Sequence, residues 1–229
     1  MSAGPAPLGP HDPVGRAGRL VYRFLWVLGR VLTRLYWRLE VVGAERIPRS
    51  GGFVISPVHR SNLDFFLAGL ATPRPVRFMA KDSIFLGGWI DRFLLGLGAF
   101  PVHRGAVDRE AVRRAEELLA AGHPVVIFPE GRRQEGPRVH ELFNGPAFVA
   151  CRQRVPIVPM GIGGSDRAMP IGSKFIFPRK VVIVVGEPIY PDVELRGRVP
   201  RSTVSALSGE LREEIQRLYD LAVERSGVG

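Results

Sequence analysis

Residues 53–64 read Phe53-Val54-Ile55-Ser56-Pro57-Val58-His59-Arg60-Ser61-Asn62-Leu63-Asp64. Phe53–Ser56 is a short run that is apolar on both faces, Pro57 marks a turn, and helical spacing follows over about Asn62–Ala71. A strand without a polar face fits a sheet covered on both sides. The C-terminal end of such a strand is where α/β sheets place reactive groups. The same pattern repeats outward from this stretch. Apolar runs predict strands at Val76–Met79, Val125–Phe128, Ile157–Met160 and Val181–Val185. Helical spacing predicts helices over Ser83–Gly98, Val107–Ala121, Gly145–Gln153 and Thr203–Arg225, and Gly186–Pro200 reads as a loop before the last of them. Strands alternating with helices point to an α/β fold, a mainly parallel mixed sheet flanked by helices.

Ahead of this region lie two others. Residues 1–17 carry Pro5, Pro7, Pro10 and Pro13 and read as a flexible tail. Residues 18–39 are apolar but interrupted by Arg19, Arg23, Arg30, Arg34 and Arg38. At helical periodicity these five fall on one stripe about 100° wide, with Leu20, Phe24, Leu28, Val31, Leu32 and Leu35 mostly opposite. The longest run free of charge is Phe24–Gly29, far short of the ~20 residues a membrane span needs. A charged stripe with Trp26, Tyr36 and Trp37 close by fits an amphipathic helix lying in a membrane interface. The plainer reading is a core-packed helix with a solvated charged face. The expected division is a tail (1–17), an amphipathic membrane-associating helix (18–39) and an α/β domain (40–225).

Composition narrows the class. With 229 residues, 45% hydrophobic and 24% charged, the chain is an ordinary globular protein. It is not a disordered, fibrous or polytopic membrane protein. A single cysteine, Cys151, excludes an internal disulfide and a cysteine-based zinc site. Residues 1–17 lack the form of a secretory signal, so a cytoplasmic location is expected. The net charge is +10, and of the 32 basic residues only Lys81, Lys174 and Lys180 are lysines. Such a balance favours polyanionic partners: nucleic acid, an anionic membrane surface or phosphorylated ligands. No recognised nucleic-acid motif or basic aromatic platform is present, so nucleic acid is not expected.

Four blocks carry candidate chemistry. In the first, Asp64 can reach back to one imidazole nitrogen of His59, leaving the other as a general base toward a hydroxyl. Five His and eight Asp residues give about 0.2 such spacings by chance, and His103–Asp108 repeats it, so spacing alone does not choose. Ser61-x-x-Asp64 also has the form of a capping box that merely starts a helix. The second block runs from Lys81, past a helix with Phe85, Trp89, Phe93, Leu94 and Leu97, to Arg104. That helix fits a buried core and an acyl-chain or lipid contact equally, while Lys81 and Arg104 are candidate phosphate ligands. The third is Phe128-Pro129-Glu130-Gly131-Arg132-Arg133, where a carboxylate, a glycine and two arginines suit a phosphate and a neighbouring hydroxyl. A solvated turn with Glu130 paired to an arginine is the plainer alternative. The fourth, Val155-Pro156-Ile157-Val158-Pro159-Met160, is a short strand bounded by prolines.

In order and spacing these four blocks resemble the glycerolipid acyltransferase family that includes 1-acylglycerol-3-phosphate acyltransferases. His59, Ser61 and Asp64 match its first block. Lys81, Phe85, Gly88, Gly98 and Arg104 match the second. Phe128, Pro129, Glu130, Gly131 and Arg133 match the third, and Val155–Pro159 the fourth. The likeness covers about residues 40–190 and assigns the base to His59 rather than His103. Two positions depart from the family: Arg132 stands where Thr is usual, and Asn144 where many members have Lys.

The resemblance implies an O-acyltransferase. The donor would be acyl-CoA or acyl carrier protein, and the acceptor a lysophospholipid, most simply 1-acylglycerol-3-phosphate giving phosphatidic acid. No metal, cofactor or covalent enzyme intermediate is expected. His59 would be the base and Asp64 its orienting partner. Lys81, Arg104, Arg132 and Arg133 would hold the acceptor phosphate, and Glu130 and Gly131 would shape its pocket. Backbone amides near the start of the helix after His59 are expected to meet the oxyanion. The protein would sit peripherally or monotopically on the cytoplasmic face of the cell membrane, and removing residues 1–38 should weaken that attachment. Two other readings stay open: an acyltransferase for another acceptor, such as an ornithine lipid or glycolipid, and a non-enzymatic basic membrane-binding module.

Overall fold

The computed structural model describes residues 16–81, 88, 99–102, 109–193 and 199–227. Among these, seven strands form one sheet: β1 (Glu40–Val42), β2 (Phe53–Pro57), β3 (Arg77–Lys81), β4 (Ala99–Val102), β5 (Pro124–Val126), β6 (Ile157–Gly163) and β7 (Val182–Val185). Their order across the sheet is β1-β7-β6-β2-β5-β3-β4. Every pairing is parallel except β6 with β7. The exception follows from the connection: β6 returns as β7 without a long crossover helix, and only a crossover restores a parallel neighbour.

β2 lies near the middle, between β5 and β6, and all five of its residues are buried. This is the two-sided apolar strand read from the sequence. Two strands were not foreseen, β1 and β4, and they occupy the two edges of the sheet. β4 contains Pro101, which lacks the N–H a central strand needs and so belongs at an edge. The helix expected over 83–98 falls outside the described residues. The 186–200 segment is mainly irregular where it is described, with one bridge from Ile189 to Ile157.

The described helices are α1 (Arg16–Tyr36), α2 (Asp64–Leu70), α3 (Arg109–Ala120), α4 (Gly145–Gln153), the single turn α5 (Ser165–Ala168) and α6 (Arg201–Arg225). The stripe Val204, Leu207, Leu211, Ile215, Leu218 and Ala222 buries α6 against β6. The approach is backbone to backbone. A Cβ on Gly161 or Gly163 would lie 2.3 Å from main-chain atoms of Leu218 or Ala222, so side chains there would lever the helix off the sheet.

α1 packs on α2, but not by its apolar face. Its contacts run along Tyr22, Trp26, Arg30, Thr33 and Trp37. Tyr22 Oη donates to Arg74 O (3.2 Å), Arg30 Nη1 to Leu70 O (3.1 Å) and Trp37 Nε1 to Phe177 O (3.0 Å). Trp26 packs partly buried on the core, and Trp37 is part of it. Two of the three aromatics expected at a membrane boundary thus face inward, and Arg30 leaves the solvated stripe. The apolar face opposite, Phe24, Leu25, Leu28, Val31, Leu32 and Leu35, is exposed. It is not the core-packed face of an ordinary amphipathic helix. No described helix is long and apolar enough to cross a membrane.

Candidate active site

The parallel strands β2 and β5 end side by side. Ile127 N donates to Ile55 O (2.9 Å), and Ser56 Oγ to Ile127 O (3.3 Å). The two loops that follow, carrying His59 and Glu130, therefore leave the same edge of the sheet. Val58 is still held on β6 through Met160 O, so His59 is the first residue free to leave the sheet plane.

His59 is fixed from two sides. Its Nδ1 lies 3.1 Å from Asp64 Oδ2, and its ring stacks on Phe128 with centroids 4.0 Å apart and planes 27° apart. The same Asp64 oxygen accepts from the amides of Arg60 (2.6 Å) and Ser61 (2.7 Å). An oxygen gathering three contacts from donors is a carboxylate acceptor, so the proton of a neutral His59 belongs on Nδ1 and the lone pair on Nε2. Nε2 has no hydrogen-bond partner among the described residues, and the side chain keeps 13% of its exposure. The capping-box reading of Ser61-x-x-Asp64 is half met. Asp64 takes the Ser61 amide and opens α2, while Ser61 Oγ accepts from the Leu63 amide (3.3 Å) rather than the Asp64 amide and donates to Met169 O (2.8 Å). The helix-start amides proposed for an oxyanion are largely occupied: Arg60 and Ser61 by Asp64, Leu63 by Ser61 Oγ.

Glu130 lies inside the protein. Its side chain is sealed from solvent, and every contact it makes is internal. Arg60 Nη1 donates to both carboxylate oxygens (3.0 and 2.8 Å), and the amides of His59 (3.0 Å) and His140 (3.1 Å) complete the set. Glu130 does pair with an arginine, but inside the protein rather than in a solvated turn, and it braces the His59 loop. Arg60, which the sequence did not single out, is the other half. It also donates to His59 O and Arg138 O and lies over the Tyr219 ring of α6, 4.9 Å from its centroid. Burial of the Tyr219 phenol pushes its pKa up.

Gly131 turns the chain back with φ +67°, and a Cβ there would sit 2.7 Å from the Phe143 ring. Arg132 is exposed and Arg133 half-buried. Neither has an ion-pair partner among the described residues. The next residue, Gln134, donates its amide to His59 O (2.9 Å), which keeps this turn against the His59 loop. Lys81 ends β3, whose C-terminal end lies along the same sheet edge. Arg104, like the alternative pair His103 and Asp108, lies outside the described residues. Asn144, the second departure, accepts from Ser208 Oγ (2.9 Å) on α6. Among the described residues no group of three or more His, Cys, Asp or Glu side chains gathers as a metal site.

The family model described as Acyltransferase matches residues 38–163, from the end of α1 through β6. The chain belongs to the acyltransferase family. It is 28% identical over 202 residues to a 1-acyl-sn-glycerol-3-phosphate acyltransferase of Bacillus subtilis, covering 86% of this chain and 96% of that one. It is also 28% identical over 192 residues to a chloroplastic 1-acyl-sn-glycerol-3-phosphate acyltransferase of Arabidopsis thaliana, covering 81% of this chain and 50% of the relative. The acyltransferase thus spans nearly the whole bacterial relative but half of the plant one. The crystal structure of the 1-acyl-sn-glycerophosphate acyltransferase PlsC from Thermotoga maritima superposes with a TM-score of 0.74 at 25% identity, covering 90% of this chain and 80% of that one. This protein is an O-acyltransferase. The matched region contains both His59 and the Glu130–Arg133 turn.

Proposed function

We propose that this acyltransferase moves an acyl chain from acyl-CoA or acyl carrier protein to the free hydroxyl of a lysophospholipid, 1-acylglycerol-3-phosphate, giving phosphatidic acid. The observation that carries the reading is the 3.1 Å contact between His59 Nδ1 and Asp64 Oδ2, which leaves Nε2 for the acceptor hydroxyl, and the turn carrying Arg132 and Arg133 is tied to the same loop through Gln134. The acceptor hydroxyl attacks the thioester carbonyl carbon while Nε2 takes its proton. The tetrahedral intermediate collapses, the C–S bond breaks, and the thiolate leaves with the proton returned by the imidazolium. Asp64 stabilises that imidazolium throughout. Arg132 and Arg133 offer charge-assisted hydrogen bonds to the acceptor phosphate, with Lys81 and Arg104 as further cations.

The same reading holds the protein at the cytoplasmic face of the membrane. The support is the exposed apolar face of α1 with Arg23, Arg34 and Arg38 beside it. Such a helix buries its apolar side at the headgroup boundary. Arg132 adds a charge where the family usually has Thr and Asn144 removes one where many members have Lys, so swapping Arg132 for Thr tests whether this position selects the acceptor.

The test is release of free thiol from palmitoyl-CoA in the presence of lysophosphatidate vesicles, comparing the wild type with His59→Ala. General-base catalysis predicts a loss of about 10²–10⁴-fold. Equal release by both proteins overturns the role of His59. Release by neither, with activity on another lysolipid, overturns the acceptor.

A further inference from the structure

The segment between α5 and β7 presents an unusual surface. Phe175, Ile176 and Phe177 follow one another and are 74%, 48% and 42% exposed, with Ile171 also exposed nearby. A run of three large apolar residues pointing outward is not fraying here, because the backbone is pinned on several sides. Phe177 N donates to Ala168 O, Ser173 Oγ to Phe175 O, and Tyr36 Oη and Trp37 Nε1 donate to the carbonyls of Ile176 and Phe177.

Those last two bonds join the tip to the end of α1, where Leu35 is 75% exposed. The apolar face of α1 and the 175–177 tip are therefore neighbours on one surface. The charges within the segment itself have a single sign. Residues 169–180 contain Lys174, Arg179 and Lys180 and no acidic residue. Lys180 is neutralised by Glu40 at 3.1 Å, but Lys174 and Arg179 are exposed and have no ion-pair partner among the described residues, as do Arg34 and Arg38 on the α1 side. Apolar side chains bracketed by unpaired cations match a layer of anionic headgroups over acyl chains.

We propose that residues 171–179 form a second membrane contact. Phe175, Ile176 and Phe177 enter the headgroup–acyl boundary of an anionic bilayer, and Lys174 and Arg179 take lipid phosphates. The inference rests on the lipid-acceptor reading and deepens it. The root of the segment receives the Ser61 Oγ hydrogen bond at Met169 O (2.8 Å), so the tip is tied to the loop that carries His59. Two contacts, α1 and this tip, define how the His59 edge of the sheet sits over the surface, which one helix alone leaves free to roll.

The experiment is sedimentation of the full-length protein with phosphatidylcholine vesicles containing 30% phosphatidylglycerol (about a third anionic lipid, chosen to probe the headgroup attraction). Wild type is compared with Phe175→Ser/Ile176→Ser and with Lys174→Gln/Arg179→Gln. Each pair should lower vesicle partitioning by about tenfold, and the charge pair should lose its effect in neutral vesicles. Thermal melts establish that the variants fold, and the two surface pairs are independent of each other. Unchanged partitioning of both folded variants overturns the proposal. Conversion of a dimer to a monomer by the apolar pair, seen by light scattering with vesicle binding intact, also overturns it and assigns the tip to a second copy. Sedimentation needs no acceptor. A wild type that binds vesicles through the tip but acylates no lysophosphatidate, even as a short-chain monomeric acceptor, would sink the acceptor reading and leave the membrane contact standing.

Discussion

Arg60 and Glu130 lie 70 positions apart in the chain and meet at 2.8 Å with side chains 2% and 0% exposed. A buried ion pair of this kind is costly to desolvate and persists only when further hydrogen bonds satisfy both partners. Here they largely do: Glu130 takes the amides of His59 and His140, and Arg60 gives to the carbonyls of His59 and Arg138, with only its Nε buried without a partner. The pair locks the loop after β2 to the loop after β5. Arg60→Met should therefore destabilise the protein by about 3–5 kcal/mol, because it leaves a buried carboxylate without its cation. Adding Glu130→Leu should restore part of that loss, though not all, since two amides then lose their acceptor. A urea-denaturation double-mutant cycle measures this. A coupling energy near zero would show that the pair carries no weight.

This relationship also shows where the sequence stopped being informative. β2, β5 and β6 were legible because a strand buried on both faces is apolar at every position, a property of the strand itself. β1 and β4 were not, because a short edge strand exists through its neighbour: Glu40–Val42 is a strand by its register with Val182–Val184. His59, Asp64 and the Glu130–Arg133 turn stood out as polar residues following apolar runs. Arg60 did not. One arginine among many gives no local sign of burial, and its partners, Glu130 after β5 and Tyr219 within α6, are distant in the chain. For α1, periodicity separated two faces but not which of them the domain would cover.

That last point changes how the proposed membrane role of α1 is tested. Removing residues 1–38 would take away Trp37, which is 5% exposed and part of the core, and would confuse unfolding with detachment. Leu28→Ser/Leu32→Ser alters the exposed face alone. Vesicle partitioning should fall by roughly tenfold. Raising the salt should weaken what remains, since each arginine near an anionic surface contributes about 1 kcal/mol that ions screen. Binding that ignores both changes would remove α1 from the interface.

The docking of α1 should carry a signature in alkali. Burial pushes the Tyr22 phenol from 10.0 up to about 12, while its hydroxyl donates to Arg74 O. The folded pKa lies above the unfolded one, so the stability linked to this group is fully present below pH 10 and is lost as pH rises toward 12. The loss should be on the order of 2–3 kcal/mol, two pKa units at about 1.4 kcal/mol each. Followed from pH 9 to 12, the urea midpoint of the wild type should fall relative to that of Tyr22→Phe. Parallel curves would mean that Tyr22 ionises as freely in the fold as out of it.

Asp64→Asn offers the sharpest separation of roles. Asp64 Oδ2 gathers His59 Nδ1 and the amides of Arg60 and Ser61 on one oxygen, and Oδ1 is buried without a partner. An amide at this position can still present one oxygen to the two backbone donors, so the start of α2 should survive. That oxygen also meets Nδ1, so the tautomer is kept, but the amide has no negative charge to set against the imidazolium. Loss of that stabilisation should cost on the order of 10²–10⁴-fold in kcat. The acceptor KM should change little, because Asp64 is completely buried and does not meet the phosphate. Steady-state kinetics with a folded Asp64→Asn protein decide the matter. A kcat within tenfold of wild type would assign Asp64 to helix initiation alone, and a large rise in KM with kcat intact would place it in acceptor binding.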